Sequence, residues 1–332
     1  MPVGKETAGA TERIIGEWMQ DKDRASLVIA TKVAGPSSRP FLLQQREIEL
    51  HGPAPDPSEQ LCHSPAQLAR ACDASLSRLR TTYIDLYQLH WPDRPTPLWG
   101  ASVFTQALAK GVYSMRAVDT APSQGRPFEE ICSGVKALLD AGKIRAWGLS
   151  NETAYGVTMF CETARRLGMA LPVSVQNDFS LLDRRFETET LEACHHYGVA
   201  LLPYGPLCGG TLADKYGASR DGHKTAKLQL GRHVEFADFQ ARYHAPPSLQ
   251  ASRRYADAAR KHGLTPVELA LGWCASRWYV ASTIIGCTTV EHLREDFAAC
   301  GKRLSAEVEA LVEGIHRANK NPNADHEGAA LL

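Results

Sequence analysis

No apolar run in this 332-residue sequence reaches the roughly 18 residues that a membrane-crossing helix needs. A membrane partner is therefore not expected. The opening stretch, MPVGKETAGATERIIGEWM, holds neither the apolar core of a secretory signal nor a transit-peptide pattern. The expected location is the cytoplasm, or an organelle if the true N-terminus lies further upstream. Charge of one sign is not in excess: 37 Lys and Arg stand against 37 Asp and Glu, which argues against nucleic acid as a partner. The nine cysteines form no C-x-x-C pair, and their number is odd; free thiols in a reducing compartment fit better than a disulfide framework. His195 and His196 have no partners at metal-ligand spacing, so no metal is expected. G-x-G-x-x-G and G-K-[ST] are both missing, which excludes a Rossmann dinucleotide unit and a P-loop. No repeat recurs at a fixed period.

What is present is an alternation. Short β-rich runs stand at 27–33, 84–90, 144–150, 173–176, 199–205 and 281–286. Helical patterns separate them, such as 64–79 with Ser64 as N-cap, 128–142 stopped by Gly142, and 266–277 opening on Pro266. This is the βαβ pattern of a parallel sheet. Three long irregular stretches, 34–63, 91–127 and 205–248, each directly follow a strand, while the turns from helix to strand are short. In a parallel barrel the loops after strands form the catalytic face. The expected organisation is a disordered start over 1–10, one α/β barrel domain over 11–318, and a disordered tail over 319–332.

Polar residues gather at the strand ends. The first strand carries Lys32, the second His90, the third Ser150 and Asn151, the fourth Gln176 and Asn177, and the fifth Tyr204. The sixth carries Gly286, then Thr288 and Thr289. Each alone reads as a surface or structural residue. Their coincidence at one end of six strands points to a ligand in the mouth of a barrel.

Six stretches carry a likeness: ATKV (30–33), YIDLYQLHWP (83–92), GKIRAWGLSN (142–151), VQNDFSLLDR (175–184), LLPYGPLCGGTL (201–212) and STIIGCTTVEHLRED (282–296). With these the sequence resembles the aldo-keto reductases over about residues 11–318. SNETAYGV and QNDFSLLDRRFE look most like the bacterial Tas-type branch and its plant and algal relatives. The resemblance implies a TIM-type (β/α)8 barrel. It implies NADPH-dependent reduction of aldehydes or ketones to alcohols, without a metal. A small-molecule carbonyl compound is the expected partner.

In the family an Asp, a Tyr, a Lys and a His carry the reaction. Tyr is the general acid, its pKa lowered by the Lys. Lys32 matches the lysine and His90 the histidine, with Trp91 as a wall of the substrate pocket. Ser150, Asn151 and Gln176 look like the holders of the nicotinamide carboxamide, and Tyr204 like the aromatic stacked on its ring. Gly205, Pro206, Leu207, Gly209 and Gly210 resemble the loop over the pyrophosphate. Gly286, Thr288, His292, Glu295 and Asp296 align with the segment that binds the adenosine 2′-phosphate. Many relatives have Gln or Arg at the place of His292 and Asn at that of Asp296, and an acid beside a 2′-phosphate is electrostatically unfavourable; Arg294 is the compensating charge.

The family's Asp and Tyr come from two strands preceding the helix at 11–20. Here no Asp precedes Asp21 and no Tyr precedes Tyr83. Six strands are expected instead of eight, making the barrel incomplete. Three readings follow: an incomplete form of a working reductase begun at an internal Met, an inactive NADP(H)-binding regulatory or partner subunit, and an unstable fragment.

Overall fold

A computed structural model describes residues 7–36, 50, 61–104, 125–216 and 240–324. The chain divides into two compact units. The first takes residues 1–96, 105–175 and 196–199, and the second 97–104, 176–195 and 200–332.

The first unit alternates helix and strand: α1 (Ala10–Trp18), β1 (Ala30–Val33), α2 (Pro65–Leu79), β2 (Ile84–Leu89), α3 (Phe128–Asp140), β3 (Ile144–Ser150), α4 (Ala154–Arg166) and the opening of β4 (Ser174–Gln176). β1 pairs with β2 in parallel, Lys32 opposite Gln88, and β2 pairs with β3, Tyr87 opposite Trp147. Ile84, Tyr87, Gln88 and Leu89 are all buried, as a parallel strand covered on both faces requires. α2 starts where Ser64 Oγ accepts from the Gln67 N–H and Pro65 fills the first turn. Trp147 anchors the core under β3. Its ring meets Phe160 edge-on at 5.9 Å, and its Nε1 donates to the Ala170 carbonyl at 2.8 Å.

The second unit holds most of α5 (Glu189–Tyr197), then β5 (Ala200–Leu201), α6 (Pro246–Lys261), α7 (Pro266–Ala275), α8 (Val290–Cys300) and α9 (Ala306–Ala318). Phe179 stacks on Trp273 at 5.1 Å, and Val267, Leu271 and Ala299 close a core between α7 and α8. α7 opens with a reciprocal capping box between Thr265 and Glu268.

Strand–helix alternation with parallel pairing is the α/β class expected. Among the described residues, five regular strands and nine α-helices carry it, fewer strands than the eight of a full (β/α)8 barrel. The expected strand at 281–286 is corrected. Ala281 N donates to the Leu201 carbonyl and Ile284 N to that of Pro203, but the segment forms no regular strand. Too few consecutive pairs form for a ladder. The disordered tail is corrected over 319–324. Those residues make a turn in which Asn323 is 0% exposed, because its amide reaches a buried carboxylate. Residues 7–10 likewise lead into α1. The remainder of both termini, and most of the three long loops, lie outside the described residues.

Candidate functional site

In the first unit the strand ends assemble a group of bases. Lys32 is half-buried near the end of β1, on the side of the sheet shared by its register partner Gln88. His90 stands two residues beyond Gln88, so strand alternation puts it on the same side. Its N–H donates to the Val33 carbonyl at 3.3 Å, which holds the β1 and β2 ends together. Lys32 makes no ion pair or hydrogen bond among the described residues. Burial alone pulls its ammonium from 10.5 down to about 8. Burial first, then the positive charge of Lys32 and neighbouring His63, brings His90 from 6.5 to about 3. At neutral pH His90 is therefore an uncharged imidazole, and its Nδ1 has no partner among the described residues.

The walls around this group are specific. Trp91 lies 4.5 Å from the His90 ring, centroid to centroid, and its Nε1 donates to the Pro36 carbonyl at 3.0 Å. A Cβ on Gly35 would stand 2.4 Å from the indole, so only glycine lets the chain after β1 pass so close. Asn151, in the left-handed region at φ 54°, donates its amide to the His90 carbonyl at 2.9 Å and to Ser150 Oγ at 3.2 Å. Asn151 thus fastens the His90 backbone to the end of β3. Ser150 itself is buried.

Three residues of this region escaped the sequence reading. His63 is buried, and its N–H donates to Asp93 at 2.8 Å. Burial holds its ring at about 4, against the opposing influence of the Asp93 carboxylate and the Ala34 carbonyl. The Ala34 carbonyl is near enough to favour protonation, but neither ring nitrogen makes a hydrogen bond of full geometry among the described residues. Arg94 and Glu152 form a buried two-pronged ion pair, at 2.7 and 2.6 Å, that ties the loop after β2 to the loop after β3. The only sequence signal was that Glu152 directly follows Asn151.

In the second unit, Gln176 closes β4 and Tyr204 lies beyond β5. The Tyr204 N–H donates to the Asn177 carbonyl at 3.0 Å, and its own carbonyl accepts from Phe179 at 3.3 Å. Burial raises the Tyr204 phenol well above its usual value, so the ring stays neutral. The loop from Gly205 through Pro206, Leu207 and Gly209 to Gly210 winds through tight turns. Gly205, Gly209 and Gly210 all have positive φ, and Cys208 N donates to the Gly205 carbonyl at 2.8 Å.

Gly286 and Thr288 are exposed just before α8. Thr289 caps that helix by accepting from the His292 N–H at 3.1 Å, and Thr288 Oγ1 lies 3.4 Å from His292 Nδ1. Glu295 is exposed. Asp296 instead turns inward and accepts from Cys287 Sγ at 3.2 Å, which removes its carboxylate from the exposed side of the helix.

This second unit also contains a buried polar network that the sequence reading did not find. Asp178 Oδ2 accepts from Arg242 Nη2 at 2.9 Å and from the Tyr243 hydroxyl at 2.8 Å. Asp183 takes Arg185 on both oxygens, and Asn323 Nδ2 at 3.1 Å.

The family model described as the Aldo/keto reductase family matches residues 7–317. The chain belongs to the aldo/keto reductase family. Protein tas of Escherichia coli (strain K12) is 35% identical over 323 residues, covering 97% of this chain and 84% of that protein. An aldo-keto reductase of Babesia bovis is 35% identical over 276 residues, 82% of this chain and 88% of that one. The uncharacterized oxidoreductase YrpG of Bacillus subtilis (strain 168) is 28% identical over 313 residues, 93% of this chain and 78% of its own. Aldo-keto reductases are oxidoreductases of carbonyl compounds, and the family works with NAD(P)H. Among the described residues, no helix is long and apolar enough to cross a membrane.

Proposed function

We propose that this aldo-keto reductase binds NADP(H) and reduces aldehydes or ketones to alcohols by hydride transfer. The observation that carries the reading is the placing, on neighbouring parallel strand ends, of a half-buried lysine with no carboxylate partner among the described residues and a neutral histidine. A carbonyl oxygen that becomes an alkoxide needs a hydrogen-bond donor and then a proton. His90, uncharged, can donate one hydrogen bond without adding a competing charge. The Lys32 ammonium, at about 8, is acidic enough to protonate an alkoxide near neutral pH.

Three phenols described in this unit suit the proton-donor role less well. Tyr83 precedes β2 and lies between the Arg24 and Arg145 guanidinium groups. Tyr87 has the opposite strand parity to Gln88 and His90. Tyr155 sits on the exposed side of α4. The dinucleotide supplies the hydride when bound. Ser150, Asn151 and Gln176 are the candidates for its carboxamide, Tyr204 for its ring and the 205–210 turns for its pyrophosphate. Thr288, His292 and Arg294 are the candidates for a 2′-phosphate. The inward turn of Asp296 supports this last assignment, since the acid does not face the exposed α8 N-terminus where a phosphate would be favoured. The small-molecule substrate is the one partner proposed.

The second reading is an NADP(H)-binding regulatory or partner subunit without turnover. It is favoured by the placement of Tyr87, whose strand parity is opposite to that of Gln88 and His90, and of Tyr155, exposed on α4. Quenching of protein fluorescence by NADPH, followed by NADPH consumption with 4-nitrobenzaldehyde, separates the two. Binding with turnover supports the reductase, binding without turnover supports the subunit, and no binding defeats both.

A further inference from the structure

The Arg94–Glu152 pair is bonded on more sides than joining two loops requires. Both side chains are buried, and both prongs of the guanidinium fork are met. Glu152 Oε2 also accepts from the Thr153 N–H at 2.9 Å. Arg94 Nη2 also donates at 3.3 Å to Thr153 Oγ1, the oxygen that caps α4. The guanidinium carbon lies 5.4 Å from the Phe128 ring and 5.5 Å from that of Tyr155. A Cβ on Gly156 would collide with Glu152 Oε2 and Arg94 Nη2, so the first turn of α4 is shaped to admit the pair. An ion pair buried this way gains little stability over apolar side chains of similar volume; what it adds is register.

The residues whose register it fixes lie beside it in the chain. Arg94 stands four residues after His90, and Glu152 directly follows Asn151. Asn151, at φ 54°, is in the left-handed region, which a non-glycine residue keeps only where its surroundings hold it. Held there, its amide reaches the His90 carbonyl at 2.9 Å. We propose that Arg94 and Glu152 are positioning residues for the reaction. Their pair holds Asn151 in this conformation and, through Asn151, sets the place of His90 against the end of β3. Neither residue touches the reacting atoms. The proposal rests on the reading of His90 as the donor to the carbonyl and of Asn151 as a holder of the carboxamide. A slip of about 1 Å between two such groups lowers turnover by about 10²-fold.

The test exchanges the pair for apolar side chains. Arg94→Met/Glu152→Leu should melt within about a few degrees of wild type. Its kcat with NADPH and 4-nitrobenzaldehyde should fall roughly 10–100-fold, while KM for the aldehyde changes by less than about threefold. Gly156→Ala leaves both partners in place and favours the helix, yet should lower kcat by wedging the pair apart. Arg94→Lys keeps the charge without the fork and should lie between these variants and wild type. In protein labelled with 15N-asparagine, Asn151 is assigned by the signal lost in Asn151→Ala. Its side-chain amide protons should exchange with water at least about tenfold faster in the double variant. A folded double variant with wild-type kcat overturns the proposal, whatever Asn151 does. A fall in kcat with Asn151 exchange unchanged overturns it too. Should the double variant not fold, Gly156→Ala and Arg94→Lys decide by the same two readouts. A wild type that binds NADPH without turnover defeats the reductase reading instead, and Asn151 exchange alone then decides whether the pair holds that residue.

Discussion

Two regions of the molecule bury charge-bearing side chains and treat them in opposite ways. In the second unit Asp178, Arg242, Tyr243, Asp183, Arg185 and Asn323 are cross-bonded, with only Asp178 Oδ1 and Asn323 Oδ1 of this set left without a partner among the described residues. In the first unit Lys32 has no ion pair among the described residues, and His90 leaves Nδ1 without a partner. Buried polar groups are normally satisfied, because an unmade hydrogen bond costs the full desolvation of the group. The cross-bonded set reads as framework. It pins the residues after β4, the 240s and the 320s of the second unit to one another. The unsatisfied set is the place to look for chemistry, where a perturbed proton affinity serves a reaction.

The sharpest way to break this contrast is to remove one member from each side. Lys32→Met should lower NADPH-dependent aldehyde turnover by about 10²–10⁴-fold, the scale of a lost proton donor. It should leave NADPH affinity within about twofold and thermal stability unchanged or higher, since it removes a desolvated charge. Arg242→Ala should do the opposite. It strands the Asp178 carboxylate, and denaturant unfolding should show a loss of about 3–5 kcal/mol. Similar stability losses for both variants would erase the distinction.

pH separates the two regions next. His63 and His90 are held at about 4 and about 3, below the 6.5 of an unfolded chain. The unfolded state therefore binds more protons between those values and 6.5, and stability falls as pH drops through that window. The combined loss should be about 2–4 kcal/mol once solvent screening is allowed for. Burial pushes Asp178 up, to about 6 from 3.8, against the pull of Arg242. There the native state binds more protons than the unfolded one between 3.8 and about 6, so acidification through that range favours the fold of the second unit. Hydrogen exchange at pH 4.5 should show β2 amides losing protection before those around Phe179. Loss in the reverse order would contradict the assignment.

Smaller effects sharpen the dinucleotide side. Tyr204→Ala should weaken NADPH binding by about 1–2 kcal/mol, the scale of an aromatic contact, and Gln176→Ala by about 0.5–1.5 kcal/mol. Fluorescence titration reads both, and an unchanged affinity for Tyr204→Ala would remove it from the site. Smallest of all, Thr289→Ala should cost about 1 kcal/mol of stability by uncapping α8, visible as a shift of the urea midpoint.

How much of this was legible in the sequence depends on how local each feature is. β2 and β3 were readable because Ile84–Leu89 and Ile144–Ser150 are continuous strand-forming runs that the sheet buries. β5 shrank to Ala200–Leu201 because Pro203 and Gly205 follow, and the 281–286 run failed as a strand. Lys32 and His90 were visible as polar residues at the ends of such runs. Arg94 and Glu152 were not, since the pair joins positions 58 residues apart. Arg242 reaches Asp178 across 64 residues and Asn323 reaches Asp183 across 140, so no spacing rule could have joined them. The turn at 319–324 is ordered by that same long-range bond from Asn323, which a polar, proline-containing stretch does not announce.

Lys32, with no ion pair among the described residues, is a desolvated amine beside a neutral imidazole. Site-resolved NMR titration of its side-chain amine, assigned by the signal lost in Lys32→Met, tests that directly. The account predicts a midpoint of about 8, with no carboxylate titrating in step. A midpoint near 10.5, the value of an ordinary lysine, would contradict it.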